Sequence, residues 1–216
     1  MGRRRLGRAT GPLVTAVGLA LALLTAATMM PAVSARFTAS TGNAGNTFTA
    51  SASFCNSTTT VTAVADSETD EAAPTTNKGT STQMYVAGSS SRRRSFVRFT
   101  LPTAPAGCTL GSATLDLTPV FGASGAAMSV YRVTSPWSET TITWNTASTM
   151  TTDPTPVNFT SASGGDSIAV LAMVQAMYSG TNNGFMLRQT NETINSYPYC
   201  TRESGSGTPQ LVLTWI

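Results

Sequence analysis

Short runs of alternating apolar and polar residues recur from residue 60 onward and constrain the fold more than any other feature of the chain. In the clearest run, at residues 95–101, Val97, Phe99 and Leu101 fall on one face of a strand. Similar runs cover residues 60–65, 83–87, 113–120, 128–133, 157–160, 184–188 and 210–215. Turns containing glycine and proline separate them. This pattern predicts an antiparallel β-sandwich of about nine short strands.

One segment has a helical period instead. Leu171, Val174 and Tyr178 recur at the spacing of one helix face, and the Asp166-Ser167 pair can cap the N-terminus. The sequence therefore predicts one short helix near residues 166–179. Since helices between the strands are otherwise lacking, the predicted class is all-β.

The first 35 residues are typical of an export signal. They hold four arginines at the start, an uncharged apolar stretch at residues 13–30, and small residues before a cleavage site after Ala35. An uncleaved membrane anchor is the alternative, because about 18 apolar residues is the lower limit for a span. The cleavage site favours a signal peptide at residues 1–35 and a secreted protein with no membrane segment after cleavage.

The rest of the chain is predicted to form two parts. Residues 36–58 are rich in Ser, Thr and Gly, which favours a flexible lead-in over a loosely attached strand. Residues 59–216 are long enough for one β-sandwich domain. Without the four arginines of the signal, nine basic residues face 10 acidic ones, so the charge does not support a nucleic-acid partner.

Several catalytic chemistries are excluded by composition. The sequence has no histidine, which rules out Ser-His-Asp and Cys-His catalysis and imidazole zinc sites. Hydrolysis by two carboxylates is formally open, but carboxylates that cap turns and pair with arginines are favoured. The sequence therefore predicts that the protein is not an enzyme.

The densest charge cluster of the exported part lies at the start of the run at residues 95–101. It consists of Arg92, Arg93 and Arg94, with Arg98 inside the strand. These arginines could bind carboxylate groups through bidentate contacts, or they could line a turn and pair with Asp and Glu. Trp137, which follows a proline, is the candidate for an exposed ring that stacks on a sugar, whereas Trp144 is expected in the core.

An acidic cluster lies in a region expected to be a turn, residues 66–82. Asp66, Glu68 and Asp70 resemble the start of an EF-hand loop, but Glu71 stands where that loop needs glycine. A structural calcium site of another type is one hypothesis, and a solvated loop is favoured over it. No other cofactor is expected. Three cysteines, Cys55, Cys108 and Cys200, allow one disulfide with three pairings.

Several short motifs resemble, in order and spacing, those of DNRLRE-domain secreted bacterial proteins. They are Pro74-Thr-Thr-Asn-Lys-Gly79, Arg94-Ser-Phe-Val-Arg-Phe-Thr-Leu-Pro102, Val130-Tyr-Arg-Val133, Trp137-Ser-Glu139, Thr143-Trp-Asn145 and Pro209-Gln-Leu211. The resemblance spans residues 60–216. It implies a jelly-roll-like β-sandwich, usually non-catalytic, with relatives among carbohydrate-binding modules for acidic polysaccharides. It also implies a Cys55–Cys108 disulfide, with Cys200 free or intermolecular.

The function that follows is a secreted, non-catalytic module that binds polysaccharide or cell-wall glycan, with acidic glycans favoured. The predicted ligand-binding residues are Arg92, Arg93, Arg94, Arg98 and Trp137, and the predicted metal ligands are Asp66, Glu68 and Asp70. The alternative is a structural extracellular matrix or surface protein that self-associates through sheet edges or the odd cysteine.

Overall fold

The computed structural model describes residues 55–88, 91–121, 125–193 and 196–216. The predicted signal peptide (1–35) and all but the last four residues of the predicted lead-in (36–58) lie outside these ranges. The described strands are β1 (Ser57–Asp70), β2 (Gln83–Val86), β3 (Arg93–Phe99), β4 (Leu110–Leu117), β5 (Ala127–Arg132), β6 (Val157–Thr160), β7 (Asp166–Ala169), β8 (Phe185–Gln189), β9 (Tyr197–Cys200) and β10 (Gln210–Trp215). The helices are α1 (Trp144–Ala147) and α2 (Leu171–Ser179), and a 3-10 turn covers Arg202–Ser204.

Eight strands form one antiparallel sheet in the order β6-β5-β8-β3-β1-β10-β4-β7, and β2 pairs with β9 in a second sheet. Strand β1 joins the two halves of the large sheet. Its residues 57–62 pair with β10 and its residues 63–70 with β3, with a β-bulge between Ala63 and Ala65. A bulge bends a strand and increases its twist, so it lets one long strand serve both halves. The predicted all-β antiparallel sandwich is confirmed.

The main core lies between the two halves of the large sheet. Leu115 and Leu213 of the β4–β10 half share one buried cluster with Val97 and Phe185 of the β3–β8 half. A second, smaller cluster lies on the opposite face of β3, where Phe96 packs with buried side chains of the segment that follows β5. This second cluster holds that segment across the outer face of β3 and so positions the candidate site.

Two expectations about local structure are wrong. Strand β1 continues through Asp66 to Asp70, where the sequence predicts a turn, because these carboxylates find cationic and backbone N–H partners on its inner face. The predicted helix starts at Leu171, not near Asp166, because residues 166–169 form β7 and pair with β4. Strand β9 has no counterpart among the predicted strands. No helix among the described residues is long and apolar enough to cross a membrane.

Candidate functional site

Strand β3 divides the predicted arginine cluster between two faces of the sheet. Alternation places Arg94, Phe96 and Arg98 on the outer face, whereas Arg93 points to the inner face with Val97. Arg92 immediately precedes the strand and shares contacts with Arg94. The four arginines therefore do not form one patch.

Arg92 and Arg94 meet on the ring of Trp144, and these three residues are called the arginine–tryptophan patch below. The two guanidinium carbons lie 5.3 and 5.0 Å from the ring centroid, within cation–π range. Arg94 Nε donates to Glu192 Oε1 at 2.8 Å. Arg92 Nε donates to Glu71 Oε2 at 2.9 Å, and its Nη2 forms a short contact with Glu71 Oε1.

The outer edge of the arginine–tryptophan patch is open to solvent. The side chains of Arg92 and Glu71 are 44% and 37% exposed, whereas those of Arg94 and Glu192 are more enclosed. Hydrogen bonds from the side chain and the backbone N–H of Arg92 lower the pKa of Glu71 to about 2. Glu71 is therefore ionised at neutral pH and occupies the donors of Arg92.

Helix α1 positions Trp144, which is its first residue. Thr143 caps the helix through a capping box with Thr146, and the N–H of Asn145 donates to the carbonyl of Pro74 at 3.1 Å. The helical turn breaks the strand-like alternation that predicts a core position for Trp144. Its ring is partly exposed beside the arginines.

Trp137 does not supply the exposed ring that the sequence suggests. Only 8% of the residue is exposed, its ring packs against Phe96 at 5.7 Å, and its Nε1 donates to the carbonyl of Asn183 at 2.7 Å. The exposure expected for the two tryptophans is thus wrong for both. Trp137 anchors the segment after β5 on the outer face of β3, which brings Trp144 to the arginines.

Arg93 belongs to a charge-balanced network on the inner face. Its guanidinium contacts Glu68 at 3.5 Å and Asp70 at 3.0 Å, and Lys78 contacts the same two carboxylates at 2.9 and 3.2 Å. The backbone N–H of Tyr85 completes the set by donating to Glu68 Oε2 at 2.7 Å. Two buried acids thus have two cationic partners. The role of Arg93 is therefore structural, because its guanidinium neutralises these acids.

The predicted metal ligands Asp66, Glu68 and Asp70 do not lie around one point. Glu68 and Asp70 are held by Lys78 and Arg93, whereas Asp66 lies with Glu139 and Glu203. Burial, aided by the charges of Glu203 and Glu139 and opposed by the backbone N–H of Arg202, raises the pKa of Asp66 to about 7.

Arg98 lies at the other end of β3, beside a surface groove of about 560 Å³. Its Nη1 donates to the carbonyl of Trp137 at 3.0 Å, and its guanidinium lies 5.1 Å from the centroid of that ring. Tyr178 lines the same groove, is partly exposed, and donates its hydroxyl proton to the carbonyl of Pro102 at 2.8 Å. Arg98 therefore has a fixed partner, while the groove offers a second aromatic surface.

Cys55 and Cys108 form a disulfide, which is the pairing that the resemblance implied. It links the residues just before β1 to the turn before β4. Cys200 is a free, partly buried thiol at the end of β9.

The model of carbohydrate-binding module family 96 matches residues 57–215. The chain belongs to this family. The match to carbohydrate-binding module family 96 spans both sheets, the arginine–tryptophan patch and the groove beside Arg98. A search of curated proteins found no match.

Membership of carbohydrate-binding module family 96 supplies the class of ligand, a carbohydrate. A carbohydrate-binding module with a disulfide also fits an extracellular protein. The DNRLRE assignment itself stays a prediction.

Sequence reasoning misses three residues of this site: Glu71, Trp144 and Glu192. In the sequence, Glu71 is noticed only because it stands where an EF-hand loop needs glycine. The alternation of apolar and polar residues around Trp144 assigns that residue to the core. Glu192 lies 98 positions from Arg94, so no local pattern connects the two. A usable signal is charge balance, since clustered arginines on a nearly neutral chain require acidic partners.

Proposed function

We propose that this carbohydrate-binding module binds an acidic polysaccharide outside the cell, without catalysing a reaction, and that the arginine–tryptophan patch is the binding site. The observation that carries the proposal is the solvent-open guanidinium of Arg92, held over Trp144 beside an exposed carboxylate. A guanidinium and a carboxylate form a planar, bidentate pair, and a uronate carboxylate has the same geometry as the side chain of Glu71.

Binding proceeds as an exchange of carboxylates. Glu71 pairs with Arg92 at the surface, where solvent screens the ion pair and keeps its net contribution small. A polysaccharide carboxylate replaces Glu71, and further contacts along the sugar chain add to the affinity. Arg94 stays paired with the more enclosed Glu192 and keeps its cation–π contact with the Trp144 ring.

In this proposal, the Trp144 ring contacts the guanidinium groups rather than the sugar. Two arginines already contact its ring, so its role is to fix their orientation through cation–π contacts. Donors that are already oriented lose less side-chain entropy when a ligand binds.

Two observations support a non-catalytic role. The sequence has no histidine, so the general bases that remain are mainly carboxylates. The group of three carboxylates among the described residues, at Asp66, Glu139 and Glu203, includes the fully buried Asp66 and lies outside the groove beside Arg98. Solvent does not reach Asp66, so this member of the group cannot act on a glycan.

Substitutions of Arg92 and of Glu71 should change the affinity for acidic polysaccharide in opposite directions. Arg92→Ala removes the exposed donors and should weaken binding to alginate or polygalacturonate by at least about tenfold, since a charged hydrogen bond contributes about 1.5–3 kcal/mol. Glu71→Gln removes the competing carboxylate and should strengthen binding by a few fold. Affinity electrophoresis and calorimetry with these two polymers measure both changes.

Arg132→Ala and Asp153→Asn are the matched controls. Arg132 and Asp153 form an ion pair on β5 and the segment before β6 and do not belong to the arginine–tryptophan patch, so neither change should alter affinity. A neutral glucan should bind more weakly than the acidic polymers, and salt should weaken acidic binding. If Arg92→Ala binds as the wild type does while Tyr178→Ala loses binding, the site is the groove beside Arg98 and the proposed site is wrong.

A further inference from the structure

Three carboxylates from distant parts of the chain lie close together around Asp66 of β1. Asp66 lies on β1, Glu139 on the segment before α1, and Glu203 in the 3-10 turn after β9. Each contributes a carboxylate oxygen, and these oxygens lie within 4.8 Å of one another. Like charges at this distance repel, so the three carboxylates are ionised together only if a cation compensates them.

Arg202 compensates only part of this charge. Its guanidinium donates to both oxygens of Glu139 at 2.8 and 2.9 Å, and its Nε lies 2.9 Å from Glu203 Oε1. Its backbone N–H donates to Asp66 Oδ2 at 2.9 Å. One cation thus faces three acids, in contrast to the neighbouring pair Glu68 and Asp70, which has two cationic partners.

Two oxygens of the cluster are buried and have no partner. Asp66 is completely buried, and its Oδ1 accepts no hydrogen bond. Glu203 Oε2 is buried and unpartnered as well. Among the described residues these are two of the four buried side-chain polar atoms without a partner, and both belong to this one cluster. A buried charged oxygen without a partner is costly, so it indicates a ligand that satisfies it.

The donor set selects the kind of ligand. It contains only carboxylate oxygens, with neither imidazole nor thiolate, and hard cations such as Ca²⁺ prefer such oxygens. When all three acids are ionised, Arg202 leaves two negative charges, and a divalent cation would balance them. Since the pKa of Asp66 is raised to about 7, binding of the ion near neutral pH would also release the proton of Asp66.

We propose that Asp66, Glu139 and Glu203 bind one calcium ion, with Asp66 Oδ1 and Glu203 Oε2 as its principal ligands. The ion joins β1, the segment before α1 and the 3-10 turn. Glu139 lies between Trp137 and Trp144 in sequence, so the ion fixes the segment that carries the arginine–tryptophan patch.

Calcium binding is measured with calcium alone, in the absence of any polysaccharide, so that the outcome is independent of glycan binding. The full chain, freed of metal with a chelator, is titrated with CaCl₂ by calorimetry and then heated with and without calcium. We expect one ion per chain and a rise of the thermal midpoint by about 5 °C when calcium is at about a hundred times its Kd. Absence of calcium binding by the wild type overturns the proposal.

Two variants locate the site. Glu203→Gln removes one ligand charge and should weaken calcium binding by at least about tenfold. Glu203→Asp keeps the charge but shortens the side chain, and it should weaken binding too. Asp153→Asn, which removes a carboxylate paired with Arg132 elsewhere, is the control and should bind as the wild type does. Calcium affinity unchanged in both Glu203 variants would place the ion elsewhere and overturn the assignment.

Discussion

Single residues explain how an acidic strand is tolerated inside this protein. Glu68 and Asp70 lie on the inner face of β1, where a hydrophobic side chain is usual, and each is almost fully buried. Lys78 and Arg93 neutralise them from two different segments. The ammonium of Lys78 keeps a raised pKa despite the opposing effect of burial, because both carboxylates are its partners. The network ties the loop after β1 to the sheet.

Asp70 should make stability depend on pH. Burial tends to raise its pKa, but hydrogen bonds from Ser91, the N–H of Ala72 and Lys78, with the charge of Arg93, lower the pKa below its usual range. The stability that Asp70 contributes is therefore present above the unfolded-state pKa, about 3.9, and is lost as the pH falls through the lower folded-state value. Asp70→Asn should lower the unfolding free energy at neutral pH by about 2 kcal/mol and flatten its decline in acid.

Urea unfolding at a series of pH values measures this effect. Asp153→Asn, a change at a partly exposed carboxylate that pairs with Arg132, is the control and should alter the unfolding free energy little. An acid limb of equal slope in wild type and Asp70→Asn would show that Asp70 is not the titrating group.

Two elements approach each other closely where β8 begins beside β3. Gly184 has a φ of +73°, and a Cβ there would lie 2.1 Å from the carbonyl oxygen of Val97. Glycine is thus required twice, for its backbone conformation and for the close approach of the two strands. The segment after β5 is tied to the same place, because the carbonyl of Gly184 accepts from the N–H of Val133 at 2.9 Å.

Gly184→Ala should lower the unfolding free energy by about 3 kcal/mol or more, since backbone strain and a steric clash add. Gly107→Ala is a matched control. Gly107 has a similar φ of +78°, but a Cβ at this residue would meet nothing within 4 Å, so only about 1 kcal/mol of strain is expected. Chemical denaturation measures both variants, and equal losses would mean that the close approach has no energetic effect.

At the scale of the whole molecule, β1 and one disulfide connect parts distant in sequence. β1 belongs to both halves of the large sheet, and the Cys55–Cys108 disulfide closes a chain segment with a separation of 53 residues. A cross-link of this span restricts the unfolded chain and stabilises the fold. Self-association through Cys200 stays a prediction.

Replacement of both Cys55 and Cys108 by serine should reduce the unfolding free energy by about 4 kcal/mol, the loop-closure value for a segment of this length. Cys200→Ser keeps the disulfide and should leave the stability close to that of the wild type. Thermal and urea unfolding measure both proteins. Equal stability of the double variant and wild type would mean that the unfolded chain is already compact across this segment.

The sequence by itself determined the class of fold and most of the strands, because alternation at a period of two is a local property of a half-buried strand. Val97 and Phe99 of β3, with Leu211, Leu213 and Trp215 of β10, could be assigned to the core in this way. The absence of histidine likewise limits the chemistry through composition alone.

Only the tertiary structure decided which charges meet. Periodicity predicts the face on which a side chain lies, but it does not predict the partner that lies across that face. Glu192 approaches Arg94 from 98 residues away, and Glu139 approaches Arg202 from 63. The same long-range packing buried Trp137, left Trp144 partly exposed and gathered Asp66 with two distant glutamates. The arginine cluster is visible in the sequence. Only the fold shows that Arg92 is its solvent-exposed member. The partners of Arg93, Arg94 and Arg98 likewise become visible only in the fold.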